Sequence, residues 1–168
     1  PYGTSIGEVG SGTVMSGTKL RMAEYQAAIG LAQMKRLEEQ TSKRNDNASY
    51  LKSKIKKTPG ILPYKLNPKV TRAAFHLFPF RYKKEEFSGL TREKFLKALQ
   101  AEGIPCSSGY TPLNKMPYLE HALKTKNYQL MYPSEMLDYS KFMERNQCPV
   151  NDQLCEEAVW FSQNMLIA

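Results

Sequence analysis

Between Leu31 and Thr58 the chain carries neither proline nor glycine, and this run constrains its folding more than any other feature. Entering the run, Leu20, Ala23, Ala27, Leu31 and Met34 recur at spacings of three and four, and Met22, Tyr25, Ile29 and Ala32 do the same on the adjoining face. Two neighbouring apolar stripes at this period describe a helix with a wide buried face. Most of these residues are small or straight-chained, which suits a helix and lets another backbone approach closely. Past Met34 the stripe narrows to Leu37, Ala48, Leu51 and Ile55 among charged and amide residues. One helix is therefore expected over residues 20–57, with Asn45 to Asn47 as the place for a bend. Its first third should be buried and the rest half exposed. Thr58-Pro59-Gly60 should stop it.

Downstream, residues 73–83 read as a strand. Ala73, Phe75, Leu77 and Pro79 alternate with Ala74, His76, Phe78 and Phe80, and both faces are largely apolar, so a central strand is expected. Pro79 cannot donate to a ladder, which predicts a bulge or strand end there. Thr91 precedes Arg92-Glu93-Lys94 as an N-cap. Phe95, Leu96 and Leu99 give the following helix an apolar face, and Gly103 should end it. Residues 104–107 read as a second short strand, which completes a β-α-β unit. Residues 108–117 form a loop and 118–123 a turn of helix. Residues 124–146, basic and aromatic without a clear period, read as a partly ordered loop or insertion. A short helix is expected over 150–159, and the chain closes with apolar Trp160, Phe161, Met165, Leu166 and Ile167.

Composition excludes several classes. With 168 residues, 41% hydrophobic and 24% charged, the chain is neither collagen-like, low-complexity nor wholly disordered, and it is long enough for one domain with a real core. No stretch approaches the roughly 20 apolar residues of a membrane helix. Residues 1–17 hold five glycines with Ser and Thr, a loop composition. The chain opens on Pro1 with no basic, apolar leader, which reads as a cut end without a secretory signal. Three cysteines, Cys106, Cys148 and Cys155, leave at least one thiol unpaired and favour a reducing, cytoplasmic setting. Their spacing and the presence of only His76 and His121 give no zinc pattern, so no metal is expected.

The formal net charge is +8. Lys52, Lys54, Lys56 and Lys57 cluster at the end of the long helix. They can be read as an anionic-surface or nucleic-acid patch, or as a solvated helix face. The second reading is preferred, because basic and aromatic residues are not interleaved on one strand face. No nucleic-acid partner is expected. His76 can be a hydrogen-bonded core or interface histidine, or a ligand contact at a sheet edge. No phosphate loop, dinucleotide fingerprint or nucleophile–histidine arrangement is present.

Three blocks then stand out. Residues 17–33, GTKLRMAEYQAAIGLAQ, are the most specific. Gly103-Ile104-Pro105 followed by Tyr110-Thr111-Pro112-Leu113-Asn114 is the second. Cys148-Pro149-Val150 through Glu157-Ala158-Val159-Trp160 is the third. In this order they resemble segments of the DegT/DnrJ/EryC1/StrS family, sugar aminotransferases that use pyridoxal phosphate on an aspartate-aminotransferase fold. The first block is similar to the family's GYNYRMTELQAAIGLAQ.

The resemblance implies the C-terminal small domain of such an enzyme: an α+β fold, with the long N-terminal helix packed on a small antiparallel or mixed sheet and flanking helices. It implies residues 19–168 as that domain and 1–18 as a flexible remnant of the large domain or linker. The Schiff-base lysine and the carboxylate facing the pyridine nitrogen lie upstream in the family. No catalytic residue is therefore expected in this chain, which alone should be inactive and without cofactor. That lysine attacks the cofactor and shuttles the proton, and the ring works as an electron sink only beside its carboxylate. Lys19 takes the place of the family Asn near the cofactor phosphate of the neighbouring subunit, where a point charge suits an anion. Arg21 matches an Arg that can hold the donor carboxylate, or it can pair locally with Glu24. Tyr110 matches a family Tyr that can line the substrate cleft, or it can be a packed loop tyrosine. Asn114 replaces a His, keeping hydrogen bonding and losing titration. With His76, these are the candidate substrate contacts. The implied partners are the missing large domain, a second copy in a homodimer, a keto sugar, usually nucleotide-linked, and glutamate or glutamine; the apolar start of the long helix should pack on that large domain or on the second copy. The alternative is a non-catalytic binding or regulatory module that keeps the fold.

Overall fold

The computed structural model describes residues 22–167. The chain divides into two compact units, residues 1–40 and 41–168. The long helix α1 runs over Glu24–Ile55, with Glu24 in its first turn and Lys52 and Lys54 in its last, the signs its dipole favours. Its expected beginning at Leu20 lies outside the described residues.

In the first unit the apolar stripe of α1 is exposed. Met22, Tyr25, Ile29, Leu31, Met34 and Leu37 all face solvent. This is the face expected to be covered by the missing large domain or a second copy rather than by the chain itself. Periodicity states which face a helix can bury, and does not guarantee that the same chain supplies the cover. The buried positions of α1 are Thr41, Arg44 and Ala48, all in the second unit. Arg44 donates through Nη2 to Thr41 Oγ1 at 3.0 Å. Asn45 Nδ2 donates to Ala73 O, and Asn47 Nδ2 to Leu166 O. These long-range bonds tie the helix to the irregular segment around Ala73 and to the 3-10 turn Gln163–Leu166.

The second unit is built on a four-stranded sheet. Its strands are β1 (Ile61–Pro63), β2 (Leu77–Tyr82), β3 (Cys106–Ser108) and β4 (Ala158–Ser162), in the order β1-β2-β4-β3. Every pairing is antiparallel. Phe78, Phe80, Tyr82, Val159 and Phe161 point to one face. There they form the core with Ala48, Leu51 and Ile55 of α1 and with Phe95, Leu96 and Leu99 of α2 (Arg92–Ala101). Thr91 caps α2 as expected, accepting from Lys94 N, and Gly103 beyond its end has φ +79°.

Strand β4 was not anticipated. It separates β2 from β3, so the expected β-α-β unit is split by a central antiparallel strand. Strand β2 is central, as its two apolar faces require, but it begins at Leu77. Before it, Phe75 has φ +48° and interrupts the extended chain. The strand also runs straight through Pro79, correcting the expected break. Tyr64 N donates to Pro79 O, so Pro79 faces β1 at the place where β1 has already ended. Its missing N–H therefore forfeits only the return bond to Tyr64 O, at the end of that ladder, while its carbonyl still accepts.

Residues 124–146 are not loop but three short helices, α4 (Lys126–Met131), α5 (Ser134–Leu137) and α6 (Tyr139–Arg145), following α3 (Tyr118–Leu123). Asp138 caps α6 by accepting from Lys141 N. Each helix is too short to display an apolar period, which is why the sequence hides them. Helix α7 (Pro149–Glu157) leads directly into β4. Among the described residues no helix is long and apolar enough to cross a membrane, and no cluster of His, Cys, Asp and Glu could hold a metal.

Candidate functional site

The loop after β3 carries two of the candidate residues. Its first residue, Gly109, donates to Ala158 O at 3.0 Å. A Cβ on Gly109 would stand 2.7 Å from that of Ala158, so only glycine permits this approach. Tyr110 follows. Its ring meets Trp160 edge-on, with centroids 5.3 Å apart, yet 72% of the residue is exposed. Asn114 lies in a 3-10 turn, Leu113–Lys115, and donates through Nδ2 to Asn146 O at 2.6 Å. Lys115 pairs with Asp152 at 2.7 Å. The loop is thus tied to α7 and to the end of α6, leaving the Tyr110 phenol presented to solvent.

His76 does not join them. It is exposed on a bend just outside β2, not mid-strand. Its neighbour Leu77 pairs with Ser162, whereas Gly109 meets Ala158 at the other end of β4. Four residues of strand separate those ends, about 13 Å. Lys19 and Arg21 lie outside the described residues. The structure therefore brings together Tyr110 and Asn114 on one loop and leaves His76 apart.

A second constellation was not visible in the sequence. Glu157, at the junction of α7 and β4, binds Arg81 Nε at 2.6 Å, Lys83 Nζ at 2.5 Å and Gln153 Nε2 at 2.9 Å. Burial opposes its ionisation. The hydrogen bonds from Arg81, Lys83 and Gln153 outweigh that, and hold the carboxyl below the usual glutamate range. Arg92 Nη1 donates to the carbonyls of Cys155 and Ala158 at 2.5 and 3.1 Å. Between these groups opens a cleft of about 660 Å³, whose lining includes Glu85, Glu93, Glu156 and Glu157. All three cysteines are free and half-buried, as expected. Burial pushes the Cys106 thiol up.

A tyrosine phenol and an amide on a pinned loop can bind hydroxyl and carbonyl groups of a polar ligand, but they are not a nucleophile–base pair. The sequence model of the DegT/DnrJ/EryC1/StrS aminotransferase family matches residues 4–159. The chain belongs to this family. Its relatives include the spore coat polysaccharide biosynthesis protein SpsC of Bacillus subtilis, 29% identical over 74% of this chain and 31% of that protein. Another is the L-glutamine:2-deoxy-scyllo-inosose aminotransferase of Streptomyces kanamyceticus, 26% identical over 91% of this chain and 35% of that protein. The chain thus spans about a third of the length of these relatives. Among solved structures, 3-amino-5-hydroxybenzoic acid synthase superposes with a TM-score of 0.73 at 22% identity, covering 99% of this chain and 40% of that one. A GDP-4-keto-6-deoxymannose-3-dehydratase, solved with a trapped PLP-glutamate geminal diamine, gives 0.58 at 20% identity over 94% and 38%. Both share the α+β fold expected from the sequence.

The described residues of this DegT/DnrJ/EryC1/StrS chain do not by themselves fit pyridoxal phosphate. A Schiff-base lysine must be available as a neutral amine, which enclosure away from counter-ions favours. None of the described lysines is buried. Lys83 is engaged by the Glu157 carboxylate, and Lys52 lies over the Tyr64 ring at 4.6 Å. The 660 Å³ cleft is rich in carboxylates and would repel a phosphate. No step of a reaction can be derived through the cofactor from these residues.

Proposed function

We propose that residues 19–168 form the C-terminal small domain of a pyridoxal-phosphate-dependent aminotransferase that acts on a keto sugar, with glutamate or glutamine as donor. The large domain supplies the cofactor's lysine and its ring carboxylate. The observation that carries this reading is the family match over residues 4–159, in a chain that spans about a third of its relatives. Those relatives, a 2-deoxy-scyllo-inosose aminotransferase that uses L-glutamine and a spore coat polysaccharide biosynthesis protein, support the substrate class.

In this reading the small domain binds and orients. The Gly109–Ala158 contact and the Lys115–Asp152 pair fix the loop, so Tyr110 can meet substrate without first being ordered. Its phenol can donate to, or accept from, a sugar hydroxyl. Lys19 serves an anion across the dimer, and Arg21 the donor carboxylate. His76 belongs to a more distant contact. The cofactor supplies the electron sink when bound.

Asn114 favours the second reading, a binding module that retains the fold. One of its amide donors is spent on Asn146 O, the role of a tether. The deciding experiment purifies the native product from its own cells. Its mass is read, and the absorbance of bound cofactor is recorded before and after L-glutamate or L-glutamine. A considerably longer protein whose cofactor spectrum changes with either donor is expected. A product of only this length, without cofactor, would overturn the enzyme reading and leave the binding module.

A further inference from the structure

The positive charge of this chain is concentrated in one segment. From Asn47 to Lys84 there is no Asp or Glu, and there are ten Lys or Arg. Elsewhere 14 Lys and Arg face 16 Asp and Glu, so the surplus belongs to this segment alone. The fold gathers part of it. Lys52 and Lys56, one helical turn apart at the end of α1, line the same groove as Lys65 beyond β1 and Arg81 of β2. The groove has a volume of about 810 Å³ and no carboxylate in its lining. Leu62, Pro63, Pro79 and Leu154 give it an apolar floor, and Tyr64 an aromatic wall.

The charge in the groove is not balanced from behind. Glu157 pairs with both Arg81 and Lys83, but among the described residues no ion pair engages Lys52, Lys56 or Lys65. Lys52 is positioned by the Tyr64 ring, 4.6 Å from its ammonium, which places a cation beside the aromatic wall. The neighbouring sheet edge limits the shape of an occupant. Gly60 O and Tyr64 N bond to β2, so Ile61 and Pro63 turn their main-chain groups outward. Ile61 N is already bonded to Thr58 O, and Pro63 has no N–H. The edge therefore offers no free donor to an added strand, which argues against an extended peptide.

We propose that this groove binds a small organic anion: two or more clustered negative charges, phosphate or carboxylate, on a flat or apolar body. The charged end meets Lys52, Lys56 and Lys65, and the body lies on Leu62, Pro63 and Leu154. The volume falls in the usual range for small-molecule sites. Charge complementarity fixes the sign of the ligand, and the apolar floor requires the body. The site stands apart from the aminotransferase reading, since neither Tyr110 nor Asn114 lines it.

The test titrates the chain by calorimetry with five probes. Adenosine diphosphate and benzene-1,3,5-tricarboxylate carry charge on a flat body. Pyrophosphate and citrate carry charge alone, and adenosine the body alone. Each flat polyanion should bind about tenfold or more tightly than its body-free counterpart, and more tightly as salt falls from about 200 to about 50 mM. Which of the two flat probes binds better assigns phosphate or carboxylate. Lys56→Gln with Lys65→Gln should weaken that probe about tenfold, while Lys126→Gln with Lys141→Gln, on α4 and α6, should leave it within about twofold. Equal losses in the two double variants would show unspecific surface charge and overturn the site. So would a body-free anion that binds as tightly as the flat ones, or no saturable binding of any polyanion.

Discussion

Arg92 Nη1 lies 2.5 Å from Cys155 O, so the first residue of α2 closes the last turn of α7, 63 residues away in sequence. The same nitrogen reaches Ala158 O at 3.1 Å, where β4 begins. A guanidinium at a helix C-terminus satisfies carbonyls that the helix leaves open and complements its dipole. One side chain thereby fixes the corner through which α7 passes into the central strand. Arg92→Met keeps the stem and removes the donors. It should cost about 1–2 kcal/mol in urea unfolding, and Arg92→Lys should recover part of that. A midpoint unchanged in Arg92→Met would show that the corner holds without it.

Glu157 should give the second unit a pH-dependent stability. Its carboxyl titrates below the usual range in the fold, so in acid the unfolded chain takes up its proton first. The stabilisation is fully present above the unfolded glutamate value of about 4.3 and disappears as pH falls through the folded value. Thermal melts from neutral pH into acid should show wild-type stability falling through that window, with Glu157→Gln falling less steeply. At neutral pH the variant should be weaker by about 1–2 kcal/mol. Arg81 and Lys83 are 38% and 26% exposed and regain water when unpaired. Parallel acid profiles for the two proteins would contradict the assignment.

What the sequence discloses and what it hides divide by range. Helix α2 was legible because its signals are local: Thr91 before it, Gly103 after it and apolar residues at helical spacing between. The extent of α1 was legible for the same reason, but its buried face was not. Thr41 and Arg44 look polar and are covered, whereas Ile29 and Leu31 look buried and are exposed. Cover is supplied by distant parts of the chain. Strand β4 was hidden because Val159 and Phe161 alternate over only five residues and no glycine or proline divides them from α7. The Tyr110–Asn114 loop was reached through the resemblance. The Glu157 network was out of reach, because its cations stand 76 and 74 residues away.

Two glycines separate backbone strain from crowding. Gly60 and Gly89 have similar positive φ angles, +79° and +76°. A Cβ on Gly89 would meet nothing within 4 Å, whereas one on Gly60 would meet Glu86 Cβ at 2.6 Å and Phe87 at 2.7 Å. Gly89→Ala should therefore cost about 1 kcal/mol from conformation alone. Gly60→Ala should cost about 3 kcal/mol, because the turn into β1 must also move. Urea unfolding of the two variants side by side reads the difference. Equal costs would mean that the Glu86–Phe87 segment yields freely.

Tyr110 and Asn114 share a loop but should fail differently when changed. Tyr110 is 72% exposed, and its contact with Trp160 is edge-on and one-sided, so Tyr110→Ala should leave the melting temperature almost unmoved. On the proposed reading, in which the chain belongs to a longer aminotransferase and the phenol holds a sugar hydroxyl, the same variant of that enzyme should lower kcat/KM about tenfold or more, mainly through KM. Tyr110→Phe should reproduce most of that loss, since it deletes the hydroxyl and keeps the ring. Asn114→Ala should show the opposite pattern. It removes the bond to Asn146 O, with a cost of about 1 kcal/mol in stability, while its kinetics should change little. Stability and kinetics measured on all three variants distinguish a ligand contact from a tether. Wild-type kinetics in both Tyr110 variants would take the loop out of the substrate site and favour the binding-module reading.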